Sequence, residues 1–260
     1  MKVRFEWLLA VAVMLLVGPA QAETAEQLVR RADLVFRGKT SAAVMTMDIK
    51  TKSFERSYKL VAWDDARGRD RTLLKLLGPA LWRGNGTLKL GSQLKIYDPK
   101  TNHVTVVGHS MLGDSWMGSH FSNDDLVKET RLARDYNVAL VKTWSAASPT
   151  GSGQATFYRA KLTPKPTAPV AWGKIVYELW EQGDAIAPLR SDYYRKAGDS
   201  NAVRSIAFSN VKKLGGRTVP AVMTCTVASK PGEYTRITYK KLKLNVDIPG
   251  SKFTEQALRK

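Results

Sequence analysis

From residue 43 onward the chain keeps returning to one rhythm, an apolar side chain at every second position. Ala43, Met45, Met47 and Ile49 alternate with Val44, Thr46 and Asp48; Leu74 and Leu76 flank Lys75; Leu88 and Leu90 flank Lys89; Leu94 and Ile96 flank Lys95. A period of two puts such residues on one face of an extended strand and their neighbours on the other. Turn signals separate the segments: Asp64-Asp65, Gly78-Pro79, Gly84-Asn85-Gly86, Gly91-Ser92 and Asp98-Pro99. Further strand-like segments follow over 137–145, 154–162, 172–181, 189–197, 202–212, 216–228 and 233–246. About eleven consecutive strands with few helices predict a mainly β chain: an incomplete, strongly curved antiparallel β-barrel.

Helical signals are sparse. Thr24-x-x-Gln27 is a capping box, and Ala25, Leu28, Val29, Ala32, Leu34, Val35 and Phe36 recur at helical spacing up to Gly38, which predicts one helix over 25–37. Short helices are expected after Asn123, as its cap, and over 253–258. So little helix cannot cover the apolar face of so large a sheet. Either the sheet closes on its own side chains, or it leaves an apolar cavity whose mouth the helices plug. The expected lining is Met45, Met47, Leu74, Leu76, Leu88, Leu90, Leu94 and Ile96 on the concave face, with Leu34 and Val35 from the helix. Adaptable methionines, among them Met111, Met117 and Met223, suit a cavity with a variable occupant.

The segment 110–128 departs from the rhythm. Met111, Leu112, Trp116, Met117 and Phe121 stand among glycines, serines and aspartates that favour turns. A surface loop normally sheds such side chains, so this one packs them onto core or ligand. Two readings stay open: a static core loop, or a lid over the cavity with Gly113 and Gly118 as its points of backbone freedom.

The first 22 residues read as an export leader. Lys2 and Arg4 are followed by an apolar run from Leu8 to Val17, and Ala20-Gln21-Ala22 fits a cleavage site before Glu23. Export into the periplasm is the expected localisation, with 23–260 as one domain, soluble and monomeric. The whole sequence carries a formal charge of +18; the leader holds two basic residues and one acidic, so the remainder carries +17. That charge favours an anionic partner such as a membrane surface. Nucleic acid is not expected, because the basic residues lack interleaved aromatic stacking platforms. Cys225 is the single cysteine and sits in the apolar run 219–227, as a small buried hydrophobe rather than a reactive thiol.

No catalytic constellation emerges. Gly113-Asp-Ser115-Trp-Met-Gly118 misses the Gly-x-Ser-x-Gly elbow by one position and lacks its strand-to-helix context. His103, His109 and His120 have spacings that match no zinc ligand pattern, so neither a metal nor another cofactor is expected. Asp64-Asp65 and Asp124-Asp125 are read as a turn and as acid at a helix start.

Ser110, Met111, Ser115-Trp-Met-Gly-Ser119, Phe121 and Asn123-Asp-Asp-Leu-Val-Lys128 together resemble a signature of the LolA-like outer-membrane lipoprotein-sorting proteins. Ala32-Asp33, Arg37-Gly38, Ser41, Met45-Thr-Met47 and Leu90-x-x-x-Leu94-x-Ile96-Tyr97-x-Pro99 extend the resemblance upstream, while His120 stands where that branch usually carries aspartate. The resemblance implies a half-barrel with helices at its mouth and an apolar cavity that shields acyl chains of a lipoprotein or free lipid in the periplasm. It also implies an inner-membrane lipid exporter as a partner. The alternative is a sensor or adaptor of the same fold that binds a protein without carrying lipid.

Overall fold

The structure, a computed structural model, describes residues 23–260 except 69, 129–131, 167 and 169; the side chains of 109, 127 and 128 also lie outside the description. The expected leader over 1–22 therefore falls outside the described residues.

Helix α1 spans Ala25–Asp33, with the Thr24 hydroxyl accepting from the Gln27 amide and the Gln27 side chain accepting from the Thr24 amide. It ends earlier than the spacing predicts. Leu34 is its C-cap, and residues 34–36 form a turn. The break lets one apolar run serve two surfaces. Leu28, Val29 and Ala32 pack on Leu162, Ile175 and Tyr177, while Val35 and Phe36 join the main core, where Phe36 stacks on Tyr239 at 4.5 Å between ring centroids.

Thirteen strands follow, two more than the rhythm suggests: β1 Thr40–Lys50, β2 Glu55–Asp65, β3 Arg71–Gly78, β4 Gly86–Leu90, β5 Gln93–Asp98, β6 His103–Val106, β7 Tyr136–Ala147, β8 Gln154–Pro164, β9 Lys174–Gln182, β10 Ala185–Tyr194, β11 Arg204–Leu214, β12 Arg217–Val227 and β13 Tyr234–Leu244. The additional strands are β2 and β6. All belong to one sheet in the order β6-β5-β4-β3-β2-β1-β13-β12-β11-β10-β9-β8-β7, with antiparallel neighbours. Among the described residues only β1–β13 joins strands distant in sequence; every other pair is a consecutive one. The sheet stays open at β6 and β7. Edge strand β7 is 12 residues long and largely exposed, with Leu140 and Val141 bare to solvent. Its register on β8 shifts between Leu140 and Lys142, leaving Val141 without a partner in the ladder.

Register decides which face each side chain takes. Leu74 lies opposite Thr87, and Thr87 opposite Ile96, so these three share the concave face with Met45, Leu60 and Tyr239. Leu88 lies opposite Leu73 and points the other way. On that outer face a 3-10 turn, Gly250–Phe253, and a short helix, Glu255–Arg259, form a second core in which Phe253 and Leu258 cover Leu73, Leu88 and Tyr97, with Leu90 at its edge. Gly86 permits the close approach, since a Cβ there would lie 2.7 Å from Leu258 Cδ1. Lys75 fastens the helix end by donating from Nζ to the Leu258 carbonyl at 2.6 Å. The placement of Leu88 and Leu90 in a cavity lining is therefore corrected: the strand alternates as expected, but the register inverts its parity relative to Leu74.

Candidate functional site

The 110–122 segment folds inward across the concave face. An isolated bridge joins Ser115 to Ser122, and the Trp116 amide donates to the Phe121 carbonyl at 2.8 Å. Met117 and Gly118 take positive φ values of 55° and 74°, a reversal that glycine accepts readily and methionine adopts only under constraint. The reversal drives Trp116 into the molecule, where it is 2% exposed and donates from Nε1 to Thr87 Oγ1 at 3.1 Å. Met111 and Leu112 pack on Leu94 and Val107, and Phe121 packs on Ile206 and Cys225. Helix α2, Asn123–Lys128, follows. Its cap is Ser122 rather than Asn123: the Ser122 amide donates to Asp125 Oδ2 at 2.7 Å, and the Asp125 amide returns a bond to Ser122 Oγ. Asn123 instead donates to the Met111 carbonyl at 2.9 Å and ties the ends of the segment together.

Two chambers lie beneath this segment, with cavity volumes of about 180 Å³ and 100 Å³. Phe36, Trp116, Leu126, Met223 and Ile237 are walls to both. The second chamber lies over β1–β4 and holds Met45, Leu74 and Leu94 of the expected lining, joined by Leu60 and Ala62. Val35, Met47 and Leu76 are buried in the same cluster, and Ile96 packs against it. Leu34 lies outside, in a surface recess beside Arg30 and Arg37. The first chamber lies over β9–β13 and under Phe121, with Tyr177, Tyr193, Trp172 and Ile206 in its walls. The sequence alone does not single out Trp172, Tyr177, Tyr193 or Ile206.

Each chamber has its own charged wall. In the first, Arg204 grips Asp125 with both ends of its guanidinium, at 2.7 and 2.8 Å, and lies 4.5 Å over the Tyr193 ring. Burial alone would lower the Arg204 pKa; the Asp125 hydrogen bonds and charge outweigh it and leave it raised. Burial pushes the Tyr193 phenol up to about 12, against the opposing charge of Arg204. Tyr177 Oη has no hydrogen-bond partner among the described residues. In the second, Asp70 accepts from Arg37 at 2.7 Å and from Lys89 at 2.8 Å, while Thr72 donates to Asp64 at 2.7 Å. Burial raises the Asp64 pKa, with Arg37 opposing.

Of the candidates for chemistry, Ser115 and His120 hold hydrogen bonds within the fold. The Ser115 hydroxyl donates to the Ser119 carbonyl. His120 is buried, its Nδ1 2.9 Å from Thr235 Oγ1 and its Nε2 3.4 Å from Glu233; burial lowers its pKa and Glu233 opposes. His103 lies on the edge strand β6, and the His109 side chain is outside the described residues. Burial pushes the Cys225 thiol up to about 12, which removes its nucleophilic form at neutral pH. The arrangement can enclose apolar surface and present a few polar groups to it.

A family model whose description reads "Uncharacterized protein" matches residues 68–260. No curated protein gives a significant match. Among solved structures, a DUF1329 family protein from Desulfovibrio piger superposes with a TM-score of 0.75 at 22% identity, covering 90% of this chain and 97% of that one. A domain described as outer-membrane lipoprotein-sorting, from Vibrio parahaemolyticus, gives 0.71 at 18% identity, covering 91% and 98%. A LolA superfamily protein from Nitrosomonas europaea gives 0.69 at 20% identity, covering 91% and 100%. The chain belongs to the family whose model spans 68–260, and its fold is LolA-like.

Proposed function

We propose that the protein is a periplasmic carrier that holds the acyl chains of a lipoprotein or lipid in its paired chambers on the way to or from the outer membrane. Residues 23–260 act as one unit after loss of 1–22. The observation that carries this reading is the pair of largely apolar chambers sharing Trp116 and Met223 as walls. Burying a methylene is worth about 0.8 kcal/mol, so a 16-carbon chain gains roughly 12 kcal/mol in a bilayer or in such a cavity alike. Exchange between the two is then nearly neutral and needs no chemistry at the site. It needs a donor, in this reading an inner-membrane exporter or an anionic leaflet met by the basic surface. No helix of the described residues is long and apolar enough to cross a membrane.

Mass spectrometry of an organic extract of the purified mature protein tests the proposal. A stoichiometric amphiphile is the expected result. The second reading, an adaptor that binds a protein and carries no lipid, draws on the unpaired β7 edge with its exposed Leu140 and Val141. An extract free of lipid, from protein that also fails to take up a fluorescent acyl probe, decides for the adaptor.

A further inference from the structure

A surface recess adjoins the first chamber, and Phe121, Val170, Ala171 and Trp172 are walls to both. Its titratable lining is Asp124, His120, Arg195, Arg204 and Lys230. Asp125 already holds both terminal nitrogens of Arg204, and Asp124 is not free, its Oδ1 being buried. Burial, with the Lys230 charge adding to it and Glu233 opposing, keeps His120 below its usual pKa and therefore neutral at pH 7.5. That leaves Arg195 and Lys230. Both are exposed, and among the described residues neither has a carboxylate within ion-pair distance.

Register brings these two cations to one end of the sheet. Tyr193, Arg204 and Val227 stand in one row across β10, β11 and β12. Arg195 follows Tyr193 by two residues, and Lys230 follows Val227 by three, so they flank β11 across two strand spacings, about 10 Å. Neither is loosely placed. The Arg195 guanidinium lies 5.2 Å over the Trp172 ring, on the wall shared with the chamber, and the Lys230 amide donates to the Val227 carbonyl at 2.9 Å. Two long cationic side chains can then meet one anion from both sides, the arginine with a fork that matches carboxylate or phosphate. We propose that the recess seats the anionic head, a carboxylate or phosphate, of an amphiphile whose apolar chain enters the first chamber, with Arg195 and Lys230 as its counter-charges. The proposal rests on the carrier reading and names the head its cargo carries.

The test displaces the neutral probe N-phenyl-1-naphthylamine from the purified mature protein at pH 7.5 with laurate, dodecyl phosphate or dodecanol, which share one chain and differ in the head. The two anions should compete about tenfold better than dodecanol. Arg195→Gln combined with Lys230→Gln should abolish that preference while dodecanol, probe affinity and Tm stay unchanged, since both side chains are exposed. Net positive charge alone also favours anions, so a control double variant, Lys212→Gln with Lys213→Gln, removes the same charge about 30 Å away, toward the other end of β11 from Arg204. The control should keep the preference. Equal loss in the two double variants overturns the inference. So does wild-type protein without the preference, or a recess variant that retains it or loses dodecanol as well. Inorganic phosphate, titrated by calorimetry, should not bind; binding that the recess variant loses would make this a site for free anions and overturn the amphiphile. In all these cases the carrier stands as long as dodecanol displaces the probe. If neither the probe nor any dodecyl compound binds, the carrier reading falls along with the inference.

Discussion

The two chambers are built by the same sheet and share a tryptophan, yet they handle buried charge in different ways. In the first, Arg204 and Asp125 form a closed pair, each meeting most of the other's demand. In the second, Asp70 is shared between Arg37 and Lys89, and Arg37 also lies 3.6 Å from Asp64. A pair fails when either member is lost, whereas a shared cluster retains a counter-charge. The difference teaches that burial of a charged side chain does not by itself measure how much the fold depends on it.

The largest effect should come from breaking the pair. Arg204→Met leaves Asp125 with Ser122 but without its counter-charge beside the apolar chamber and should cost about 3–5 kcal/mol. Lys89→Met leaves Asp70 with Arg37 and should cost about 1–2 kcal/mol, near the value of one charged hydrogen bond. Urea unfolding of both variants checks this; equal losses would show that the chambers do not differ as described. A smaller effect separates the inner face of the sheet from the outer one. Ala62→Phe places its ring in the second chamber and should weaken acyl-probe binding about tenfold at little cost in stability. Gly86→Ala drives a Cβ into Leu258 on the outer face and should cost about 1–3 kcal/mol while probe binding stays unchanged. Probe titration alongside thermal melting reads both.

The smallest effect is a dependence on pH with opposite signs in two places. His120, behind Phe121, has its folded pKa depressed by burial, so the unfolded chain binds the proton more readily. Its contribution is present above the unfolded value near 6.5 and is lost as pH falls toward the folded one. Asp64 in the second chamber is raised, so the folded chain takes up the proton first and stability from this group grows as pH falls below the folded pKa. Melting from pH 7.5 to 5 should show a modest decline that His120→Gln removes and Asp64→Asn does not.

The strands of the amino-terminal half were legible because their alternation is clean: Ala43, Met45, Met47 and Ile49 are all buried as the spacing predicts. Strand β2 was not, since Arg56, Lys59, Trp63 and Asp64 interrupt its apolar set of Tyr58, Leu60 and Ala62. Parity between strands was beyond reach. Leu73 to Leu77 carries leucine on both faces, and a slip of one residue between β3 and β4 exchanges the face of Leu88 with that of Thr87. The first chamber was hidden for another reason. Its central pair joins residues 79 apart, and Asp124-Asp125 already had a sufficient explanation as acid at a helix start. Arg204 carried no local signal in the sequence; only the fold shows it buried.

Strand β7 raises a question of crowding rather than of cargo. Its outward row of amide and carbonyl groups could template a neighbouring molecule at high concentration, as long flat edges do. The unmatched Val141, followed by Lys142, interrupts that row at mid-strand and leaves only short runs on either side. A molecule stored at high concentration would thus find no continuous seam along which to stack.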